Sequence, residues 1–123
     1  MKPDVFLSFD LENDDALREL LFDEANQPNF PLNFKAWSEK GAAEDVVREK
    51  IRSCDRVLVM CGEMTFQKGN VDREFVIAKE EGKPYHLIQG RKGRLCSPPP
   101  SADPSDHMHE WSWEVLEAFA VSG

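Results

Sequence analysis

Apolar positions along the chain fall into short blocks whose spacing alternates between strand-like and helical. Val5-Phe6-Leu7-Ser8-Phe9 is a brief apolar run that stops at acidic residues, which predicts a buried strand. Leu17, Leu20, Leu21 and Ala25 then recur at helical spacing, with Asn13 or Asp14 as the expected N-cap. Pro28 and Pro31 frame a break, and Leu32 to Trp37 alternates apolar and polar, as a half-buried strand does. After Gly41, one stripe of a second helix carries Ala43, Val46, Val47, Lys50, Ile51 and Cys54; the Lys50 stem can lie along apolar surface. Arg56 to Cys61 is continuously apolar after its first residue and predicts a central strand buried on both faces.

Gly62 to Asn70 reads as a loop, and Val71 to Glu81 as a third helix ended by Gly82 and closed off by Pro84. Tyr85 to Ile88 is a further strand. Gly90 to Asp106 is rich in Pro, Gly, Ser and basic residues and reads as a mobile connection. A fifth, very short strand is expected near His107 to Glu110. Trp111, Trp113, Leu116, Phe119 and Ala120 predict a closing amphipathic helix with Ser112 as its cap.

Strands and helices that alternate at this spacing imply crossover units and a parallel sheet covered on both faces. The expected fold is therefore α/β: a flavodoxin-like doubly wound parallel sheet of four to five strands in three layers. Its single domain would span residues 1–123, with a mobile loop over 90–109. Ligands of such sheets bind at the carboxyl ends of the strands. That directs attention to Ser8–Asp15, Trp37–Gly41 and Gly62–Glu74.

Composition narrows the classes. Acids number 23 against 15 bases, giving 15 − 23 = −8 with histidine neutral, which argues against non-specific binding of nucleic acid and against anionic membranes. No signal peptide is expected from the N-terminal residues, and the longest apolar run, Val57 to Cys61, falls far short of a membrane span. Cys54, Cys61 and Cys96 are odd in number and lack CxxC spacing, so a cytoplasmic location without a disulfide framework is expected.

Several candidate chemistries compete. Asp10, Glu12, Asp14 and Asp15 follow the first strand, where acids either hold Mg²⁺ in a receiver-like switch or stabilise a helix N-terminus. A receiver would also need an Asp after the third strand, where Cys61-Gly62-Glu63 stands, and a Lys after the fifth, where none occurs. No GxGxxG follows the first strand, and neither a P-loop nor a G-x-S-x-G elbow is present. His107-Met108-His109-Glu110 lacks the i,i+4 spacing of a helical zinc pair, so no metal site is expected. Glu74 stands at the start of the third helix, next to the central strand; from position alone it is an ordinary helix acid.

The residues also carry a resemblance. Val5 to Asp10 resembles the opening strand of TIR domains. The block Ile51-Arg52-Ser53-Cys54-Asp55-Arg56-Val57-Leu58-Val59-Met60-Cys61-Gly62-Glu63-Met64-Thr65, followed by Val71-Asp72-Arg73-Glu74-Phe75, is similar to the TIR-like family of the Thoeris anti-phage sensor protein. Ala78, Gly82-Lys83-Pro84 and Trp111 also fit. The resemblance implies a TIR fold and NAD⁺ as substrate, cleaved at the nicotinamide–ribose bond, with no other cofactor. It implies a cyclic or conjugated ADP-ribose signal that activates an effector protein, and self-association that completes the site. The family's catalytic glutamate falls on Glu74. Ser8, Phe9 and Asp10 would line the nucleotide site, with Trp37, Gly62 and Thr65 at the neighbouring strand ends. Phe9 or Trp37 would stack on a ring of the nucleotide, or else pack in the core.

Two positions depart from the family pattern. Gly69-Asn70 stands where many relatives carry a Trp, and Arg73 where an aromatic is common. The alternative reading is a catalytically weak interaction or nucleotide-sensing module that acts by self-association.

The charge is uneven. Acids concentrate at Asp10–Asp15, Asp23-Glu24 and Glu44-Asp45, whereas Arg91, Lys92 and Arg94 form a basic spot. Self-association of acidic face to basic loop should weaken as salt is raised. Sedimentation velocity at low and high salt checks this, and an unchanged distribution would leave the charge a solubilising surface only.

Overall fold

A computed structural model describes residues 2–11, 15–63, 65, 69–90 and 96–121. The elements follow in the order β1 (Asp4–Ser8), α1 (Asp15–Ala25), β2 (Asn33–Trp37), α2 (Glu44–Ser53), β3 (Arg56–Cys61), α3 (Asn70–Glu80), β4 (Tyr85–Gln89), β5 (Met108–Glu110) and α4 (Trp113–Val121). The strands form one sheet in the order β2-β1-β3-β4-β5, and each neighbouring pair is parallel. This is the expected flavodoxin-like winding. The order turns back at β1, which puts a crevice at the carboxyl ends of β1 and β3.

Each face of the sheet has its own apolar layer. Val5, Leu7, Leu58, Met60 and Ile88 point toward α1 and α4, where Leu21, Leu116 and Phe119 meet them. Phe6, Val57, Val59, Cys61 and Leu87 point toward α2 and α3, against Val47, Ile51, Val71, Phe75 and Ala78. Burial of β3 on both faces follows from its unbroken apolar run.

The helical stripes are narrower than the spacing alone predicts. Leu21 of α1 is buried, but Leu20 is exposed, because Arg18, Leu21, Phe22 and Ala25 define the inward face and Leu20 is turned about 100° from it. In the same way Val47 and Ile51 of α2 are buried while Val46 is exposed. The expected N-cap of α1, Asn13 or Asp14, lies outside the described residues. Gly82 closes α3 as predicted. Gly82 N–H donates to Lys79 O (3.1 Å), and the φ of +67° turns the next amide, Lys83 N–H, onto Ala78 O (3.0 Å).

Strict alternation through β2 fails at one residue. Val5 pairs with Phe34 but Phe6 with Ala36, so Lys35 is an extra residue in the strand. Phe34 packs toward α1 and α4, while Ala36 packs toward α2 and α3. The expectation that Leu32, Phe34 and Ala36 share one face is therefore corrected: the bulge reverses every side chain after Lys35.

The described part of the long connection is tied to α3 and β4. Ser101 donates its N–H and its hydroxyl to the Asp72 carboxylate (2.7 and 2.9 Å), and Lys79 pairs with Asp103 and Asp106 (3.0 and 3.3 Å). The Tyr85 hydroxyl donates to Asp106 at 2.5 Å. From there the chain enters β5, where His109 stacks on His86 at 4.4 Å and Phe119 lies against the same ring at 4.5 Å. Ser112 caps α4 by accepting the Val115 N–H (3.1 Å), and Trp111 precedes the helix, donating to Glu24 (3.1 Å).

Cys54, Cys61 and Cys96 are buried, and none of them is in a disulfide among the described residues. Among the described residues no helix is long and apolar enough to cross a membrane.

Phe119 is fully buried at the end of the chain. Phe119→Ala should cost about 3–5 kcal/mol, a large share of the roughly 5–15 kcal/mol typical of a domain. The urea midpoint checks this; a midpoint near wild type would show α4 to be dispensable.

Candidate functional site

The carboxyl ends of β1, β2 and β3 and the first turn of α3 converge on one side chain. Glu74 lies on the inward face of α3, one turn after Asn70, and is completely buried. Its Oε1 accepts three hydrogen bonds: from Ser38 Oγ (2.6 Å), Ser8 Oγ (2.7 Å) and Asn70 Nδ2 (3.2 Å). Its Oε2 is buried with no hydrogen-bond partner among the described residues.

Each donor has a structural reason for its aim. Ser8 follows Phe6 at the two-residue period of β1 and so faces α3. Ser38 follows Ala36 at the same period in β2, and it faces α3 only because the bulge at Lys35 has reversed the alternation. Asn70 is four residues before Glu74, one turn away on the same helix face.

The donors also fix the loop after β1. Phe9 N–H donates to Ser38 Oγ (3.1 Å), Asn70 Nδ2 donates to Phe9 O (2.8 Å), and Leu11 N–H donates to Asn70 Oδ1 (3.3 Å). The backbone of 9–11 is thereby fastened to the helix that carries the carboxylate.

Two opposed effects set the charge on Glu74. Burial disfavours the carboxylate and raises its pKa above the usual range. The bonds from Ser38, Ser8 and Asn70 oppose this in that order, and Arg73 adds a smaller attraction. Burial wins. Arg73 Nε is also buried without a hydrogen-bond partner among the described residues, so one donor and one acceptor on adjacent residues of α3 await satisfaction.

The other expected site residues distribute unevenly. Phe9 is core: it packs with Val5, Leu7 and Leu21, and its ring has essentially no exposed face, while its main chain serves the cradle. Asp10 is partly buried in the loop after β1. Gly62 and Thr65 lie together at the end of β3, where Gly62 N–H donates to Thr65 Oγ1 at 2.8 Å. Trp37 is on the opposite face of the sheet, edge-on to Phe22 at 5.2 Å and more than a third exposed. Met64, 66–68, the side chain of Asp15 and the basic spot Arg91, Lys92 and Arg94 lie outside the described residues. Among the described residues no three His, Cys, Asp or Glu side chains gather as a metal site.

Ser38 was not distinguished by sequence. It lies in the flagged Trp37–Gly41 segment, but regular alternation through β2 would have turned it away from α3.

The model of the Thoeris protein ThsB TIR-like domain matches residues 6–91, more than two thirds of the chain. The chain belongs to this family. The match runs from β1 through β4 and includes Glu74 and all three of its donors, whereas β5 and α4 of this TIR-like domain follow it. No curated protein matches the chain.

The raised pKa of Glu74 has a thermodynamic consequence. A buried acid that holds its proton more tightly when folded stabilises the fold most below its unfolded pKa; that stability falls as pH rises through the folded value. Glu74→Gln removes this component while keeping an oxygen for the three donors. The variant's Tm relative to wild type should therefore improve steadily from about pH 4 to pH 7. Thermal scans across that range test it, and a constant difference would contradict the raised pKa.

Proposed function

We propose that this TIR-like domain cleaves the nicotinamide–ribose bond of NAD⁺ and that the resulting ADP-ribose signal, cyclic or conjugated, serves anti-phage defence. The supporting observation is the buried Glu74 carboxyl, held through one oxygen by Ser8, Ser38 and Asn70 and left with the other unpartnered among the described residues.

The chemistry asks little of the protein beyond such a group. Nicotinamide departs as a neutral molecule, taking the bonding pair of a cationic precursor, so no acid need protonate it. Positive charge moves onto the ribose, and a carboxylate fixed beside the ring stabilises that oxocarbenium-like state. Capture of C1′ by water, with loss of a proton, gives ADP-ribose; capture by a nucleophile of the ADP-ribose moiety itself gives a cyclic product. Oε2 and Arg73 Nε, both without a hydrogen-bond partner among the described residues, can respectively accept a ribose hydroxyl and donate to an anionic oxygen of the diphosphate. NAD⁺ is itself the substrate, so no further cofactor is invoked. The effector activated by the product would be a separate protein, and self-association would complete the site.

Full burial of Glu74 favours one other reading: a nucleotide-sensing module of the same family that acts by self-association without turnover. One experiment separates the two. Concentrated protein is incubated with NAD⁺, nucleotides are resolved by mass spectrometry, and NAD⁺ and ADP-ribose are titrated by calorimetry. Release of nicotinamide that falls by about 10²-fold or more in Glu74→Ala is the expected result. Binding without nicotinamide release selects the sensing module, and neither binding nor release overturns the nucleotide reading.

A further inference from the structure

The three donors to Glu74 Oε1 are not equivalent. The Ser38 bond is the shortest, at 2.6 Å, and the Ser38 hydroxyl serves as both donor and acceptor: its oxygen also accepts the Phe9 N–H at 3.1 Å. With that acceptor role taken, the hydroxyl hydrogen is directed to Glu74. Asn70 instead divides Nδ2 between Phe9 O, at 2.8 Å, and Glu74, at 3.2 Å. The backbone around Ser38 is held on both sides. Ser38 N–H donates to Leu7 O at 3.0 Å, extending the β2–β1 ladder one residue past Trp37. The next residue, Glu39, is ion-paired to Lys50 of α2.

From this geometry we infer that Ser38 is the positioning residue of the Glu74 carboxylate: it fixes the orientation of the carboxyl plane and couples it to the backbone of the loop after β1. Ser38 touches no reacting atom; it acts through Glu74. The bulge at Lys35 is the device that aims it, since without the extra residue the Ser38 side chain would project into the layer of α1 and α4. Its bond to Glu74 is also the largest of the contributions that oppose burial. Loss of the hydroxyl therefore leaves the carboxyl both looser and harder to ionise. In the same variant Phe9 N–H loses its acceptor, so the loop that carries Asp10 and Leu11 is freed on one side.

As an account of catalysis this rests on the NAD⁺-cleaving reading; as an account of the Glu74 carboxyl it does not, and the test uses that difference. Ser38→Ala and Ser38→Cys are compared with wild type in NAD⁺ turnover across pH. The Cys variant keeps the bulk but donates weakly, and it serves if the Ala variant does not fold. The expected result is a kcat lowered by about 10- to 100-fold with little change in KM, and a pH midpoint moved upward in both variants. A merely structural role would alter folded fraction without moving that midpoint. A kcat and midpoint equal to wild type in a folded variant would overturn the inference. If the wild-type protein turns over no NAD⁺, the functional reading fails and the Ser38 inference is decided separately. The Glu74 side-chain carboxyl carbon, assigned by its loss in Glu74→Gln, is titrated by ¹³C NMR. An upward-shifted curve in the Ser38 variants supports positioning, and curves superimposable on wild type refute it.

Discussion

Three segments far apart in the sequence meet at one oxygen, Glu74 Oε1. Ser8 comes from the end of β1, Ser38 from just beyond β2, and Asn70 from the first turn of α3. A carboxyl group this deeply buried costs several kcal/mol if ionised and unpaired, and the three hydrogen bonds offset part of that cost. Because the same donors hold the backbone of Phe9 and Leu11, displacement of any of these segments would leave buried polar groups unmet elsewhere. The crevice of the doubly wound sheet thus takes its definition from a polar contact, while the apolar layers on either side set where that contact falls.

Those layers are divided between two helix pairs, and the division bears on the site. The face toward α2 and α3 carries Glu74, so the packing of Val71, Phe75 and Ala78 fixes the height of α3 over the sheet. The opposite face takes Phe9, Trp37 and the aromatic cluster of Phe22, Phe30 and Phe34. Aromatic residues from the carboxyl ends of β1 and β2 therefore support the site from behind. Beyond the family match, the segment from Cys96 onward is bound to α3 and β4 by the Asp72, Lys79 and Tyr85 contacts before it supplies β5 and α4. Arg48 and Arg52 of α2 also pair with Glu80 and Glu81 at the end of α3. The Arg partners pull the Glu81 carboxyl down to about 2. These surface pairs, part-buried only at Arg48–Glu81, add little stability, but they link the two helices at the edge away from the site.

The element order was legible from periodicity because strand and helix impose different spacings on apolar residues. Burial of β3, the Gly82 stop, the Ser112 cap and the short fifth strand follow from local chemistry at named residues, and each is present. Membership of the TIR-like family was legible in the block from Ile51 to Thr65 and in Val71–Phe75, and through it Glu74. Leu20 and Val46 face solvent because the apolar stripe counted from sequence is wider than the one the sheet covers.

What the sequence by itself determined is the alternation of elements, the two-sided burial of the central strand and the position of Glu74 one turn into α3. All of these depend on residues close together in the chain. The tertiary structure decided which groups hold that carboxylate. Ser38 is 36 residues away from Glu74 and Ser8 is 66 away. The aim of Ser38 depends on a single extra residue in β2, and only pairing with β1 reveals it. A bulge is a property of two strands in register, so no pattern within one of them can show it.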